Sequence, residues 1–301
     1  MRRLAFIVIL ISFPLLCRAE DLPQSPAGGW ALDLSGGKQG YYYAEDVNDC
    51  FDKDLKDGFT IEFWFYPTRP VRPREWWSLV AKPVTLTPYV PLYQLRIEYF
   101  REHEGNEWMW LTEMVGGGGS SSYGLWWINS GEKYEPKWYH VILQGRIVGN
   151  QYNGILFLDG VSKGYHGGSA NIHFNSDYPL FVGGLPPGAQ GFIHLGGLDG
   201  LDEVKTEGRT FDGLIDELRI SNIERYKPKP WGEKIKIKGR LHPDEHTVGL
   251  WHFDEGPKAL RYYDASGNGH TLFAAGQLDV SYGGKTPLLW GGIKSLPAFK
   301  K

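Results

Sequence analysis

Cysteine is almost missing from this chain. Only two of its 301 residues are Cys, and one of them, Cys17, lies within the first twenty positions. The other, Cys50, has no second thiol to pair with. A disulfide framework is excluded, and so is a Cys-based zinc site. Cys50 reads as a small buried apolar residue rather than a reactive thiol. Long apolar runs are equally scarce. Leu4 to Leu16 is the longest, and it is too short for a typical transmembrane helix. An excess of basic charge is lacking too, since 32 Lys and Arg stand against 35 Asp and Glu. That balance does not suggest nucleic acid as a partner. Several catalytic signatures are absent. No Glu is followed two positions on by Asp, and there is no Gly-x-Ser-x-Gly elbow and no His-Glu-x-x-His. Lyase chemistry built on isolated His, Tyr and Arg leaves no such mark.

The first 19 residues read as a secretory signal. Arg2 and Arg3 form the basic start, Leu4 to Leu16 the apolar stretch, and Cys17-Arg18-Ala19 the cleavage end. Leu16 before Cys17 is a poor match to a lipoprotein signal. Cleavage after Ala19 removes three arginines and no acid, which makes the rest of the chain more acidic than its formal charge of −3. The expected destination is outside the cell, at its surface, or in a periplasm.

What is abundant is glycine and aromatic residues: 40 Gly, 12 Trp, 17 Tyr and 15 Phe. With few helical patterns, this points to an all-β protein. Phe59-Thr-Ile-Glu-Phe-Trp-Phe-Tyr66 alternates strongly and ends at Pro67. Trp76 to Lys82, Tyr93 to Tyr99, Trp138 to Leu143 and Gly154 to Leu158 follow, the last closed by the hairpin pair Asp159-Gly160. Glu107 to Met114 admits a short helix, but its aromatic content favours a strand. Gly116 to Ser122 reads as a hairpin loop, since no Lys-Ser/Thr or helix follows to make it a phosphate cradle. His140, inside a strand pattern, reads as packed and hydrogen-bonded. Ile223 to Glu245 is rich in Lys and Pro. Its Lys-Ile-Lys-Ile-Lys run reads as an edge strand guarded by lysines, with a patch for an acidic polymer as the alternative.

The stretch Phe211-Asp-Gly-Leu-Ile-Asp-Glu-Leu-Arg-Ile220 resembles the closing strand of laminin G-like domains, of the concanavalin A-like lectin/glucanase class. Asp57 to Pro67 resembles the second strand of that family, and the Trp138 and Gly154 strands its paired strands. Val248-Gly-Leu-Trp-His-Phe-Asp-Glu-Gly256 with Asp264-Ala-Ser-Gly-Asn-Gly-His270 resembles the segment that normally begins such a domain. Here it follows the closing strand. Either it folds back into the same sandwich or it starts a truncated second domain. Fold-back is preferred, because too few residues remain for another sandwich of roughly 100 and a lone hairpin is marginal in water. The resemblance covers about Gly28 to Leu272. It implies a concanavalin A-like jelly-roll sandwich of two antiparallel sheets. The expected layout is a signal over 1–19, a lead-in over 20–27, one domain over 28–285 with 246–272 folding back, and a tail over 286–301.

Strict alternation over Leu214 to Ile220 places Asp216 on one face with Leu214, Leu218 and Ile220. A carboxylate there needs a partner or a cation. Laminin G-like domains often hold Ca²⁺, so the resemblance implies a Ca²⁺ site. Asp216, Asp264, Asn268 and Asp254 are its candidate ligands, although Asp264, Asn268 and Asp254 serve equally as turn residues. Trp108 and Trp110 on one strand, with Trp76, Trp77, Trp126 and Trp127 near loops, are candidate stacking platforms for sugar rings; large aromatics also build cores. No catalytic residue is assigned. The expected role is non-catalytic binding of a glycan or an extracellular protein. A polysaccharide-degrading enzyme of the same fold and a structural or adhesive module are the alternatives.

Overall fold

The computed structural model describes residues 22–36, 40–72, 75–86, 89–98, 108–115, 125–126, 132–149, 151–169, 176–187, 189–194, 203–207 and 209–276. The signal and tail expected from the sequence, the Gly116 to Ser122 loop and Trp127 lie outside these residues. The strands in chain order are β1 (Leu32–Asp33), β2 (Gly40–Ala44), β3 (Phe59–Pro67), β4 (Trp76–Leu86), β5 (Tyr89–Glu98), β6 (Trp108–Val115), β7 (Leu125–Trp126), β8 (Glu132–Lys133), β9 (Tyr139–Val148) and β10 (Gln151–Leu158). They continue with β11 (Val161–Ser169), β12 (Leu180–Val182), β13 (Gln190–His194), β14 (Glu203–Glu207), β15 (Arg209–Thr210), β16 (Gly213–Ser221), β17 (Thr247–Trp251), β18 (Arg261–Tyr262) and β19 (Leu272–Gly276). Helix among the described residues is limited to two 3-10 turns, Val47–Asp49 and Lys53–Leu55.

A seven-stranded sheet runs β1-β16-β3-β9-β10-β11, with β17 also on β16. A ten-stranded sheet runs β18-β19-β2-β12-β4-β5-β6-β7, with β15 on β4 and β8 on β6. β13 and β14 form a separate ribbon, and among the described residues every pairing is antiparallel except β15 with β4. Phe59, Ile61, Phe63 and Phe65 of β3 turn into one large core. Trp77, Leu79, Tyr93, Leu95 and Ile97 of the other sheet meet them there. Trp108 to Val115 is a strand, as its aromatic content implied.

The C-terminal segment joins the same two sheets. β17 pairs with β16 through Leu218↔Trp251 and Arg219↔Leu250. β1 pairs with the start of the same strand through Leu32↔Ile215. The two strands thus share one edge of β16, end to end. β19 then crosses to the other sheet and pairs with β2.

Two expectations need correcting. First, β16 does not alternate strictly. A bulge lies between Asp216, opposite Trp64, and Arg219, opposite Glu62. Glu217 there has φ of +54°. The extra residue flips the side-chain parity. Ile215, Leu218 and Ile220 enter the core, whereas Asp216 joins the outer face with Trp64, Glu62 and Arg219. Second, the Lys-Ile-Lys-Ile-Lys run is no edge strand; its one ladder contact is an isolated bridge, Val161↔Lys234. Instead, residues 223–242 form a strap over the outer face of the seven-stranded sheet. The strap leaves β3 and β9 at Tyr226, where Gln144 Nε2 donates to the Tyr226 carbonyl at 2.7 Å. It reaches β11 at Lys229, whose carbonyl accepts from Ser162 Oγ at 2.8 Å. It returns over β3, where Trp64 Nε1 donates to the Gly239 carbonyl at 3.2 Å. Ile235 and Ile237 pack on Ile142, Ile155 and Phe157 of the outer face. This cover explains why both faces of β3 are buried.

His140 is buried against the Trp64 ring at 4.7 Å. Neither of its ring nitrogens has a hydrogen-bond partner among the described residues, so the expected hydrogen bond is not made. Burial, helped by the nearby Arg219 charge, pushes its pKa down to about 3, so the ring is neutral.

Candidate functional site

The tryptophans expected to stack on sugars do not form one platform. Trp76 and Trp77 are 0% and 1% exposed. Adjacent strand residues point to opposite faces, and both faces are covered here. Trp77 enters the main core, and Trp76 packs with Ala81, Phe181, Leu185 and Ala189. Trp108 and Trp110 lie on β6 and Trp126 on β7; their rings and Trp127 lie outside the described residues.

The four expected calcium ligands fall into two groups instead of one: Asp264 and Asn268 share the C-terminal turn, and Asp254 lies near Asp216. Asp264 folds its own turn. Its Oδ1 accepts from the Leu250 and Ser266 amides at 3.0 and 2.8 Å. Its Oδ2 accepts from the His270 amide at 3.0 Å and Ser266 Oγ at 2.7 Å. Four donors aimed at one carboxylate leave no lone pair suited to a cation. Asn268 Nδ2 donates to the Thr247 and Val248 carbonyls at 2.8 and 3.0 Å. Asp254 accepts from Arg240 Nη2 at 2.7 Å. Asp216 accepts from the Ser25 hydroxyl and, at 2.8 Å, from the Glu217 amide.

Asp216 therefore belongs to a polar cluster under the lead-in and the strap. Glu217 Oε1 lies 2.6 Å from His252 Nδ1, and Glu217 Oε2 accepts from the Leu241 amide at 2.6 Å. Burial raises the Asp216 pKa to about 8; the Ser25 hydrogen bond opposes the rise, and the charges of Glu217 and Asp254 add to it. The folded state thus holds a proton that the unfolded chain, with an ordinary carboxyl near 3.9, releases. This group's stabilisation is complete below about pH 4 and is lost as pH rises to about 8. Asp216→Asn, whose Oδ1 still accepts from the Glu217 amide and whose Nδ2 donates to Ser25 Oγ in the reverse sense, should raise the melting temperature at pH 8 and flatten its decline between pH 5 and 8. Parallel melting curves for the two proteins across that range would refute the assignment.

One set of three carboxylates does converge among the described residues. Asp46, Asp49 and Asp52 have oxygens within 4.8 Å of one another. Each carboxylate of this set already has partners within the chain. Lys82, wholly buried, donates its ammonium to Asp46. Asp49 pairs with Lys53, and Asp52 accepts from the Lys53 and Ser176 amides. With Asp46 and Asp52 ringed by N–H donors, the set does not offer the six to eight free oxygens that Ca²⁺ takes.

Beside this loop lies a cleft of about 550 Å³. Three segments distant in sequence form it. Val47, Asn48 and Asp54 come from the acidic loop, Asn222 and Glu245 from the chain on either side of the strap, and Asn268 and His270 from the C-terminal turn. Asn48 and Asp49 hold positive φ of 62° and 58°. Such backbone is uncommon outside Gly, though Asn and Asp tolerate it best. Cys50 also lines the cleft, with Sγ 3.5 Å from both His270 Nε2 and Asp46 Oδ1. The trio imitates a nucleophile, a base and an orienting acid. Burial and the Asp46 charge push the thiol far above its ordinary range, so no thiolate forms near neutral pH. Of the expected site residues only Asn268 lines this cleft. The sequence signal for the rest is the Asp-rich run Asp46-Val-Asn-Asp49. Nothing local ties that run to Glu245 or Asn268.

Two antiparallel sheets closed around a single aromatic core, with a polar cleft between their loops, define a lectin-like jelly roll. The chain belongs to the family described as the Concanavalin A-like lectin/glucanases superfamily, a laminin G type, matched over residues 35–227. Among solved structures it is similar to a native heptameric SAP-like pentraxin from Limulus polyphemus, at 12% identity and a TM-score of 0.37, over 65% of this chain and 75% of that one. No curated protein matches the chain. Among the described residues no helix is long and apolar enough to cross a membrane.

Proposed function

We propose that this chain is an exported, non-catalytic module that binds a glycan in the cleft between the acidic loop and the C-terminal turn. The observation that carries the reading is the lining of that cleft: amides from Asn48, Asn222 and Asn268 with carboxylates from Asp54 and Glu245. Planar amides and carboxylates are hydrogen-bonding partners for sugar hydroxyls, and Asn268, held by the Thr247 and Val248 carbonyls, is oriented before the ligand arrives. An extracellular protein presenting hydroxyls and amides is the other partner of the same chemistry. Calcium plays no part in this reading, because the donor sets near the cleft do not fit it. Melting in excess Ca²⁺ and in chelator should therefore coincide. A Ca²⁺-dependent rise that Asp49→Asn removes would return the ion to the site.

Asp54 and Glu245 are both exposed on the cleft. That gives the enzyme reading its one support, since glycoside hydrolysis uses two carboxylates flanking the bond. One assay separates the two. The purified protein is passed over an immobilised panel of neutral polysaccharides, and retention and new reducing ends are both scored. Asp54→Ala and Glu245→Ala should each weaken retention about tenfold, the loss of one hydrogen bond to a charged group, with unchanged melting. No reducing ends should appear. Retention that survives the double variant removes the cleft from the function, and reducing ends that vanish in it make the protein a glycosidase.

A further inference from the structure

The strap carries a second surface, separate from the cleft. Residues 227–240 hold Lys227, Lys229, Lys234, Lys236, Lys238 and Arg240 against one acid, Glu233, in a chain whose net charge is negative. All but Lys227 lie past the end of the family match at residue 227. Lys229 pairs with Glu233 at 3.2 Å, and Arg240 with Asp254 at 2.7 Å. Among the described residues no carboxylate pairs with Lys227, Lys234, Lys236 or Lys238. Ile235 and Ile237 turn inward onto Ile142, Ile155 and Phe157, so Lys234, Lys236 and Lys238 line up on the exposed side. Alternate positions of an extended chain lie about 7 Å apart. The result is a row of cations at regular spacing.

At one end of the row stands Trp231, 63% exposed. It occupies the first corner of a tight turn, in which the Glu233 amide donates to the Pro230 carbonyl at 3.1 Å and Gly232 takes φ of +81°. Ser162 of β11 pins that turn. Its amide donates to the Glu233 carbonyl at 2.8 Å, and its carbonyl accepts from the Gly232 amide at 2.9 Å. The ring lies over Gly164; a Cβ there would come 2.9 Å from Trp231 Cε3. The indole is thus braced against the strand while much of it stays in water. A braced, exposed ring loses little conformational freedom on binding.

We propose that this strap binds a linear anionic polysaccharide, with one sugar ring stacked on Trp231 and successive carboxylate or sulfate groups on Lys234, Lys236 and Lys238. A single stacking face beside a row of charges suits a chain of sugars. A single-stranded nucleic acid, by contrast, is held by aromatic rings on which successive bases stack. An anionic membrane would call for rings that project, and Trp231 lies back on Gly164.

The test uses the full chain and four immobilised probes: polygalacturonate, dextran sulfate, neutral dextran and oligo-dT, with phosphatidylserine vesicles in a separate sedimentation assay. Retention on polygalacturonate, dextran sulfate or both is expected, falling steeply with salt; which of the two is retained tells carboxylate from sulfate. The triple variant Lys234→Gln/Lys236→Gln/Lys238→Gln should lose at least tenfold in affinity and most of the salt dependence. Trp231→Ala should lose about tenfold, and Trp231→Phe should recover part of it. The triple variant should melt like the parent, because its changed groups face solvent, and the Trp231 variants should keep a cooperative melt, because they lose only the ring's contact with Gly164. Asp54→Ala/Glu245→Ala should leave this retention intact, which separates it from binding in the cleft. Equal retention on neutral dextran, no effect of the strap variants, or stronger binding to oligo-dT or vesicles would overturn the proposal.

Discussion

A chain ending after Tyr226 is expected to lose its cooperative melt and to collect as insoluble or molten material. The missing part is no appendage. It supplies Leu241, Val248, Leu250, Trp251, Phe253, Tyr262 and Leu272, all buried. At about 1.5–3 kcal/mol for each large apolar side chain buried, their loss amounts to roughly 10–20 kcal/mol, against a net stability of about 5–15 kcal/mol for a typical domain. The contacts are spread over both sheets. Trp251 lies 6.2 Å from Phe51, and its Nε1 donates to the His270 carbonyl at 2.7 Å. Tyr262 packs 5.1 Å from Tyr42. Truncation also strips the strap and leaves Trp64, Glu62 and Ile142 facing water. Circular dichroism and a thermal melt of the truncated chain decide the matter. A sharp transition near that of the full chain would mean that 227–276 is dispensable and that the sandwich closes without it.

The strands that the sequence revealed are those whose pattern has one meaning. Phe59 to Tyr66 alternates because one face enters the core, and Asp159-Gly160 turns because both residues adopt positive φ, 51° and 74°. The return of Val248 to Phe253 was legible for a different reason: the segment resembles one that normally opens such a domain, and as a lone hairpin it would be marginal in water. Patterns with two meanings misled. Lys-Ile-Lys-Ile-Lys has the same period whether it is a laddered edge strand or a strap packed through its isoleucines. Only the absence of a ladder partner separates the two, and that is a tertiary fact. Alternation across Leu214 to Ile220 gave Asp216 the wrong face, because one extra residue in a bulge inverts every later side chain. Trp76 and Trp77 were candidates because they sit near loops, and nothing local shows that both faces of their strand are covered. The cleft was beyond reach because its walls come from residues about 50, 220–250 and 270. Asn268 was singled out for its turn chemistry, and its place on the cleft comes from the Asp264 turn that carries it.

The sheet face beneath the strap is also where a single substitution should cost most. Glu62 is wholly buried beneath it, and Arg219 nearly so. Arg219 Nε donates to Glu62 Oε1 at 2.8 Å, and its Nη2 reaches the same oxygen. Its Nη1 donates to the His242 carbonyl of the strap at 2.9 Å. Glu62 Oε2 accepts from the Tyr226 hydroxyl at 2.6 Å. One guanidinium thus neutralises a buried carboxylate and ties down the far end of the strap. Arg219→Met keeps most of the apolar stem but leaves Glu62 charged, buried and held by a lone hydroxyl. Breaking a buried pair from one side costs about 3–5 kcal/mol, so urea unfolding should show a loss of that size with little change in slope. The companion Glu62→Gln/Arg219→Met removes the stranded charge and keeps an oxygen for Tyr226. It should recover at least about half of the loss, since a pair removed whole is far less costly than a pair cut in two. If Arg219→Met costs under about 1 kcal/mol, the pair behaves as a surface contact, and the strap does not seal this face against water. If the double variant is no better than the single one, the cost lies in the lost tie to His242 and not in the charge on Glu62.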